Sequence, residues 1–210
     1  NPERKLLSSL RKEEYEGLKN RLSGGETSHS ENTRLPDFGP KKWCDTVAKS
    51  GGITIGSRDI LVAYNVNTDE TDADVAKKIG SIIRGSGRLI KNASGQKIRI
   101  RGMINEIQGM GVVLESHSIS QVSMNILDIN KCPLHMAYEI CQSIANDHSV
   151  DILGSELVGL VPLSAMLESG RWYCQIETPT EQELVKSAID GLGLSKLELF
   201  EPNKRIIEWA

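Results

Sequence analysis

Residues 107–129 read IQGMGVVLESHSISQVSMNILDI, two β-type runs joined by a tight connection at His117-Ser118. In the second run Val122, Met124 and Ile126 fall on one side and Gln121, Ser123 and Asn125 on the other. That period of two belongs to a strand with one apolar and one polar face. Upstream, residues 60–67 alternate in the same way, with Ile60, Val62, Tyr64 and Val66 opposed to Asn65 and Asn67. Between the two regions TDETDADVAKKIGSIIRGSG (68–87) carries Val75, Ile79, Ile82 and Ile83 on one helical face. Asp69 or Thr71 is its candidate N-cap, and Gly85 or Gly87 its end. Downstream, CPLHMAYEICQSIANDH (132–148) places Pro133 at a first helical position and gathers Ala137, Ile140, Cys141 and Ile144 on one face. VDILGSELVGLVPL (150–163) then reads as a mostly apolar strand. The order strand, helix, two strands, helix, strand predicts an α+β ferredoxin-like split βαβ sandwich, an antiparallel or mixed sheet with helices on one face.

The flanks add smaller elements. Leu7, Leu10, Tyr15, Leu18 and Leu22 recur at helical steps near the start of the chain, a pattern already running where the sequence begins and suggestive of a fragment. SGGETSHSENTRLPDFGP (23–40) has loop composition, and residues 51–67 contain two β-type runs around a Gly56-Ser57 turn. After Pro162 a short helix closes at Gly170. TPTEQELVKSAIDGLGL (178–194) then predicts a helix with a Thr180/Glu183 capping box and Gly191 just past its end. Glycines at 51, 52, 56, 109, 111, 154 and 159 read one by one as turns or bulges, or as places where another backbone comes close.

With 25 basic and 28 acidic residues the formal charge is −3, so no global field draws the chain to nucleic acid or an anionic membrane. No apolar run is long enough to span a bilayer, and the charged start does not resemble a secretory leader. A cytoplasmic protein with four reduced cysteines is expected, since Cys44, Cys132, Cys141 and Cys174 lack zinc or redox spacing. No dinucleotide fingerprint, P-loop, zinc-protease helix or nucleophile elbow occurs. His29, His117, His135 and His148 each read as an exposed or capping residue before a general base. Arg84, Arg88, Lys91, Lys97, Arg99 and Arg101 form a basic stretch, but without the interleaved aromatics that stack bases.

PDFGPKKWC (36–44) has a composition unusual for a loop. Phe38 or Trp43 could cover a ring, while Lys41 and Lys42 could meet carboxylates or phosphates of a flat anionic ligand. A stiff Pro-Gly corner pinned by aromatics accounts for the same residues.

Taken together, EYEGL (14–18), PDFGP (36–40), GGITIGSRDILVAYNVN (51–67), QVSMNILDI (121–129), LHMAYE (134–139), GSELVGLVPL (154–163) and KRIIEW (204–209) resemble glutamate formimidoyltransferase. The first half of formimidoyltransferase-cyclodeaminase is of the same family. The resemblance implies transfer of the formimino group from N-formimino-L-glutamate to N5 of tetrahydrofolate in histidine degradation. It also implies two α/β subdomains with the folate between them. This chain is similar to the C-terminal subdomain (52–210) preceded by a linking helix (1–22) and a ligand loop (23–51). The folate segment implied by the family maps onto Gly39, Pro40, Lys41, Lys42, Trp43 and on to Gly51. About three extra residues near VAKSG make the correspondence between Cys44 and Ser50 unsafe. Asn65, Ser123 and Asn125 are added from strand alternation as groove-facing residues. The family's catalytic histidine belongs to the first subdomain, and no histidine here falls on its motif, so no catalytic residue and no metal ligand is assigned. The missing N-terminal subdomain is the expected partner; no nucleic acid or membrane is expected, and a homo-oligomer is compatible with the sequence. The alternatives are a non-catalytic folate or pteridine module and, more remotely, a nucleic-acid-binding α+β domain.

Overall fold

The computed structural model describes residues 7–11, 13–24 and 35–210. The first six residues of the expected linking helix, and residues 25–34 of the expected ligand loop with His29, lie outside them. The chain divides into two compact units, residues 1–58 and 59–210.

In the first unit the expected single helix is two, α1 (Leu7–Leu10) and α2 (Glu14–Leu22). Glu13 and Glu14 take φ of 63° and 47°, left-handed values that interrupt the helical ladder between them. A third helix, α3 (Asp45–Ser50), stands where a loop is expected. Gly51 ends it, with φ 66° and its N–H donated to the Val47 carbonyl at 2.8 Å, the left-handed closure that glycine adopts most easily. The first of the two β-type runs around Gly56-Ser57 forms no strand. Ile53 and Ile55 are almost fully exposed, because no described strand pairs with them and neither face of the run is covered.

The second unit contains the split βαβ order. Strand β1 (Val62–Thr68) leads to α4 (Asp74–Ile83), and a hairpin of β2 (Arg88–Lys91) and β3 (Lys97–Ile100) follows. Then come β4 (Ile107–Leu114), β5 (Ile119–Ile126), α5 (Leu134–Asn146) and β6 (Ile152–Val158). The main sheet has the order β4-β5-β1-β6 with every pair antiparallel. The chain continues through α6 (Leu163–Tyr173), α7 (Glu181–Gly191) and α8 (Pro202–Arg205).

Residues of one parity form the core. Val62, Tyr64 and Val66 of β1 pair with Ile126, Met124 and Val122 of β5, and all six are buried with Ile79, Ile83, Leu134, Ala137 and Cys141 of the helices. Alternation in the sheet and a 3.6-residue period in the helices thus bury one shared apolar layer. Tyr64 donates to Ser155 Oγ at 2.9 Å and Ser155 Oγ donates to the Leu192 carbonyl at 2.6 Å, so the fully buried Tyr64 phenol is satisfied.

Several boundaries move by local chemistry. Helix α4 starts at Asp74, whose N–H is accepted by Asp72 Oδ1 at 2.8 Å, rather than after Asp69 or Thr71, and it ends at Ile83 ahead of both glycines. Pro133 and Pro162 sit one residue before their helices, in extended conformation. Helix α6 runs past Gly170, because that glycine is a contact: a Cβ there would lie 2.2 Å from the Leu184 carbonyl oxygen of α7. The Thr180/Glu183 capping box forms as expected, with Glu183 N–H donated to Thr180 Oγ1 at 3.3 Å and Thr180 N–H donated to Glu183 Oε2 at 2.8 Å.

Candidate functional site

The residues singled out in the sequence fall in both units. In the first, Gly39 has φ 83°, and Pro40, Lys41, Lys42 and Phe38 are exposed around it, Phe38 by 93%. Trp43 is different. Its ring meets Tyr15 edge-on at 5.5 Å, Lys19 Nζ lies 5.9 Å from the ring centroid, and its backbone N–H is donated to the Leu22 carbonyl at 2.8 Å. Tyr15 in turn donates to the Ala48 carbonyl at 2.7 Å. Trp43 therefore ties the loop to α2, and Phe38 is the aromatic ring left bare.

In the second unit, Asn65, Ser123 and Asn125 share the sheet face that carries no helix. Asn65 is the cross-strand partner of Ser123, and Asn125 lies one pair along, opposite Ala63. Gln108 and Met110 of β4 continue those rows, and Glu156 of β6 flanks Asn65 on the other side. Residues 107–126 thus supply both faces of the sheet, apolar toward the helices and amide-rich away from them.

Three residues outside the expected site set, Glu156, Gln121 and Asn67, join this face. Glu156 Oε1 accepts from Asn65 Nδ2 at 2.8 Å and from Gln121 Nε2 at 2.9 Å, and Gln121 Nε2 also donates to Asn67 Oδ1 at 2.7 Å. Asn65, Asn67 and Gln121 are more than nine-tenths buried. Gln121 and Asn67 were visible as polar members of their strands. Glu156 was hidden in an apolar run, and the signal for it was a single carboxylate at the period-two position of a strand otherwise expected to be covered on both faces.

The described histidines lie elsewhere. His117 shares a surface turn with Ser116, and His148 is exposed just beyond the end of α5. His135 stacks on Trp172 with ring centroids 5.0 Å apart and an interplanar angle of 11°. Its Nδ1 is buried without a partner, and burial pushes its pKa down against the opposing pull of Glu168 and Glu139. A histidine with a lowered folded pKa binds fewer protons folded than unfolded. Stability should therefore be complete above about pH 6.5 and fall as the pH drops from there toward the lowered folded value. Thermal melting across that window should show this slope in the natural protein, and His135→Gln should remove it; an unchanged slope would refute the assignment.

The basic stretch becomes the β2–β3 hairpin. Arg84 donates to the carbonyls of Gly87 and Gly109 at 2.9 and 3.2 Å, and Arg99 to that of Ser86 at 2.9 Å. Two of the six cations thus hold the base of the hairpin. Among the described residues no group of three or more His, Cys, Asp or Glu could hold a metal ion, and no helix is long and apolar enough to cross a membrane.

An antiparallel split βαβ sheet, with helices on one face and a hydrogen-bonded amide and carboxylate array on the other, defines an α+β domain with a polar platform. The formiminotransferase domain family matches residues 63–210. The chain belongs to that family. It is 34% identical over 211 aligned residues to formimidoyltransferase-cyclodeaminase of Rattus norvegicus, covering 99% of this chain and 36% of the relative. Glutamate formimidoyltransferase of Streptococcus pyogenes serotype M1 is 35% identical over 177 residues, covering 84% of this chain and 51% of the relative. That of Thermoplasma acidophilum is 30% identical over 191 residues, covering 90% and 55%. The chain thus spans about a third of the bifunctional relatives and about half of the single-function ones.

Proposed function

We propose that this chain is the folate-side portion of a cytoplasmic glutamate formimidoyltransferase, moving the formimino group from N-formimino-L-glutamate to N5 of tetrahydrofolate in histidine degradation. The observation that carries this reading is the family match through the whole split βαβ unit, with relatives named for that activity aligned over most of the chain. The exposed Phe38, Lys41 and Lys42 around the Gly39-Pro40 corner suit an aromatic ligand with a carboxylate tail, with Trp43 and Gly51 holding the segment in shape. Asn65, Ser123 and Asn125 offer amide and hydroxyl groups to a heterocycle from the sheet face.

The chemistry forms a bond from N5 to the amidine carbon and breaks the bond from that carbon to the glutamate nitrogen. N5 loses a proton and the departing amine gains one. Both transfers need a placed acid and base, typically worth 10²–10⁴ in rate, and groups that stabilise the tetrahedral intermediate. The family resemblance implies that the base is a histidine of the N-terminal subdomain, and no described histidine of this chain lies on the polar face. The purified 210-residue chain should show no measurable formimino transfer, and supplying the complementary half should restore it. Full turnover by the chain alone would overturn the reading. Folate binding without transfer in the reassembled protein would favour a non-catalytic pteridine module.

A further inference from the structure

We propose that Glu156, together with the amides that hold it, forms a subsite for a planar N–C–N donor edge, the chemistry shared by an amidinium and a 2-amino-4-oxopyrimidine ring. A carboxylate only accepts, so Asn65 and Gln121 must both turn their NH₂ groups to Glu156 Oε1. The second N–H of Gln121 goes to Asn67 Oδ1. The carboxylate thereby fixes the orientation of the amides, and what the network offers outward follows. Glu156 Oε2, Asn65 Oδ1 and Gln121 Oε1 have no described donor, and none of them is among the buried unpartnered atoms, so they reach solvent. No cation forms an ion pair with Glu156 among the described residues, although Arg205 lines the same shallow pocket at the β6 edge.

An outward set of acceptors built on three amides more than nine-tenths buried is preorganised for N–H donors and hostile to anions. A planar donor edge that reaches Oε2 and one of the neighbouring amide oxygens makes charge-assisted hydrogen bonds without moving the network. This inference rests on the transferase reading, in which both substrates present such an edge: the formimino amidine, and the pyrimidine ring of the folate. Glu156 binds and orients that edge; no proton transfer is assigned to it.

The test uses the full chain, with the side-chain NH₂ resonances of Asn65 and Gln121 as reporters. Formamidinium is titrated in one arm and 2-aminopyrimidin-4-one in the other, with methylammonium as a cation lacking the planar edge. Saturable shifts at both reporters with one planar probe and not with methylammonium are expected, and the arm that responds names the substrate. Glu156→Gln, which keeps an oxygen for the amides but replaces Oε2 by a donor, should weaken that binding about ten- to a hundredfold, the worth of a hydrogen bond to a charged group. Neither probe shifting the reporters, or equal shifts with methylammonium, would overturn the subsite without recourse to any variant. Tetrahydrofolate affinity in the reassembled protein separates the two readings. Probe binding without folate affinity would leave the subsite and remove the transferase reading. Folate affinity and transfer unaffected by Glu156→Gln, with silent probes, would do the reverse.

Discussion

Gly111→Ala should lower the unfolding free energy by about 3 kcal/mol, the upper end for overpacking a tight interior. A Cβ on Gly111 would lie 2.0 Å from the Lys77 nitrogen and 2.4 Å from the Ala76 carbonyl carbon, both backbone atoms of α4. Backbone cannot rotate aside as a side chain can, so the helix would have to lift from β4. The neighbouring Gly109 provides the control. Its Cβ would stand 3.3 Å from the Gly80 carbonyl oxygen and 3.5 Å from Met124 Cγ, a tight contact that a shift of a few tenths of an ångström relieves, and Gly109→Ala should cost about 1 kcal/mol, well below Gly111→Ala. Urea unfolding of both variants decides the matter, and equal losses would show that α4 does not rest on β4 as described.

Ile79→Ala should cost about 3 kcal/mol through lost burial and the cavity left behind. Ile79 is fully buried on α4 among Ala76, Ile83, Val122 and Met124 of the core. Ile98→Ala on β3 should cost about 0.5 kcal/mol or less, because Ile98 is 45% exposed on a two-stranded hairpin and a comparatively open site leaves little cavity. Thermal unfolding of the two variants side by side checks this. A loss at Ile98 matching that at Ile79 would mean that the hairpin carries a packed face of its own.

These pairs also mark where reading the sequence stops. Gly109 and Gly111 are indistinguishable as letters in a strand, as are Ile79 and Ile98 as β-branched residues. Their difference comes from what lies opposite them. The same holds at Ile53 and Ile55, where β-type alternation forms no strand because propensity without a partner strand satisfies no backbone groups. Trp43 and Phe38 were equivalent ring candidates in one loop, and packing on Tyr15 and Lys19 separates them.

The split βαβ order of the main sheet, the polarity of the faces of β1 and β5 and the Thr180 cap were determined by the sequence, because period, capping and turn chemistry act between residues near one another in the chain. Only the folded chain decided that Glu156 and Gln121 meet Asn65 and Asn67 in one network. Asn65 and Glu156 stand 91 residues apart and are brought side by side by antiparallel register. Register depends on how both faces of the sheet are buried at once, a property of the whole sandwich that no single strand carries.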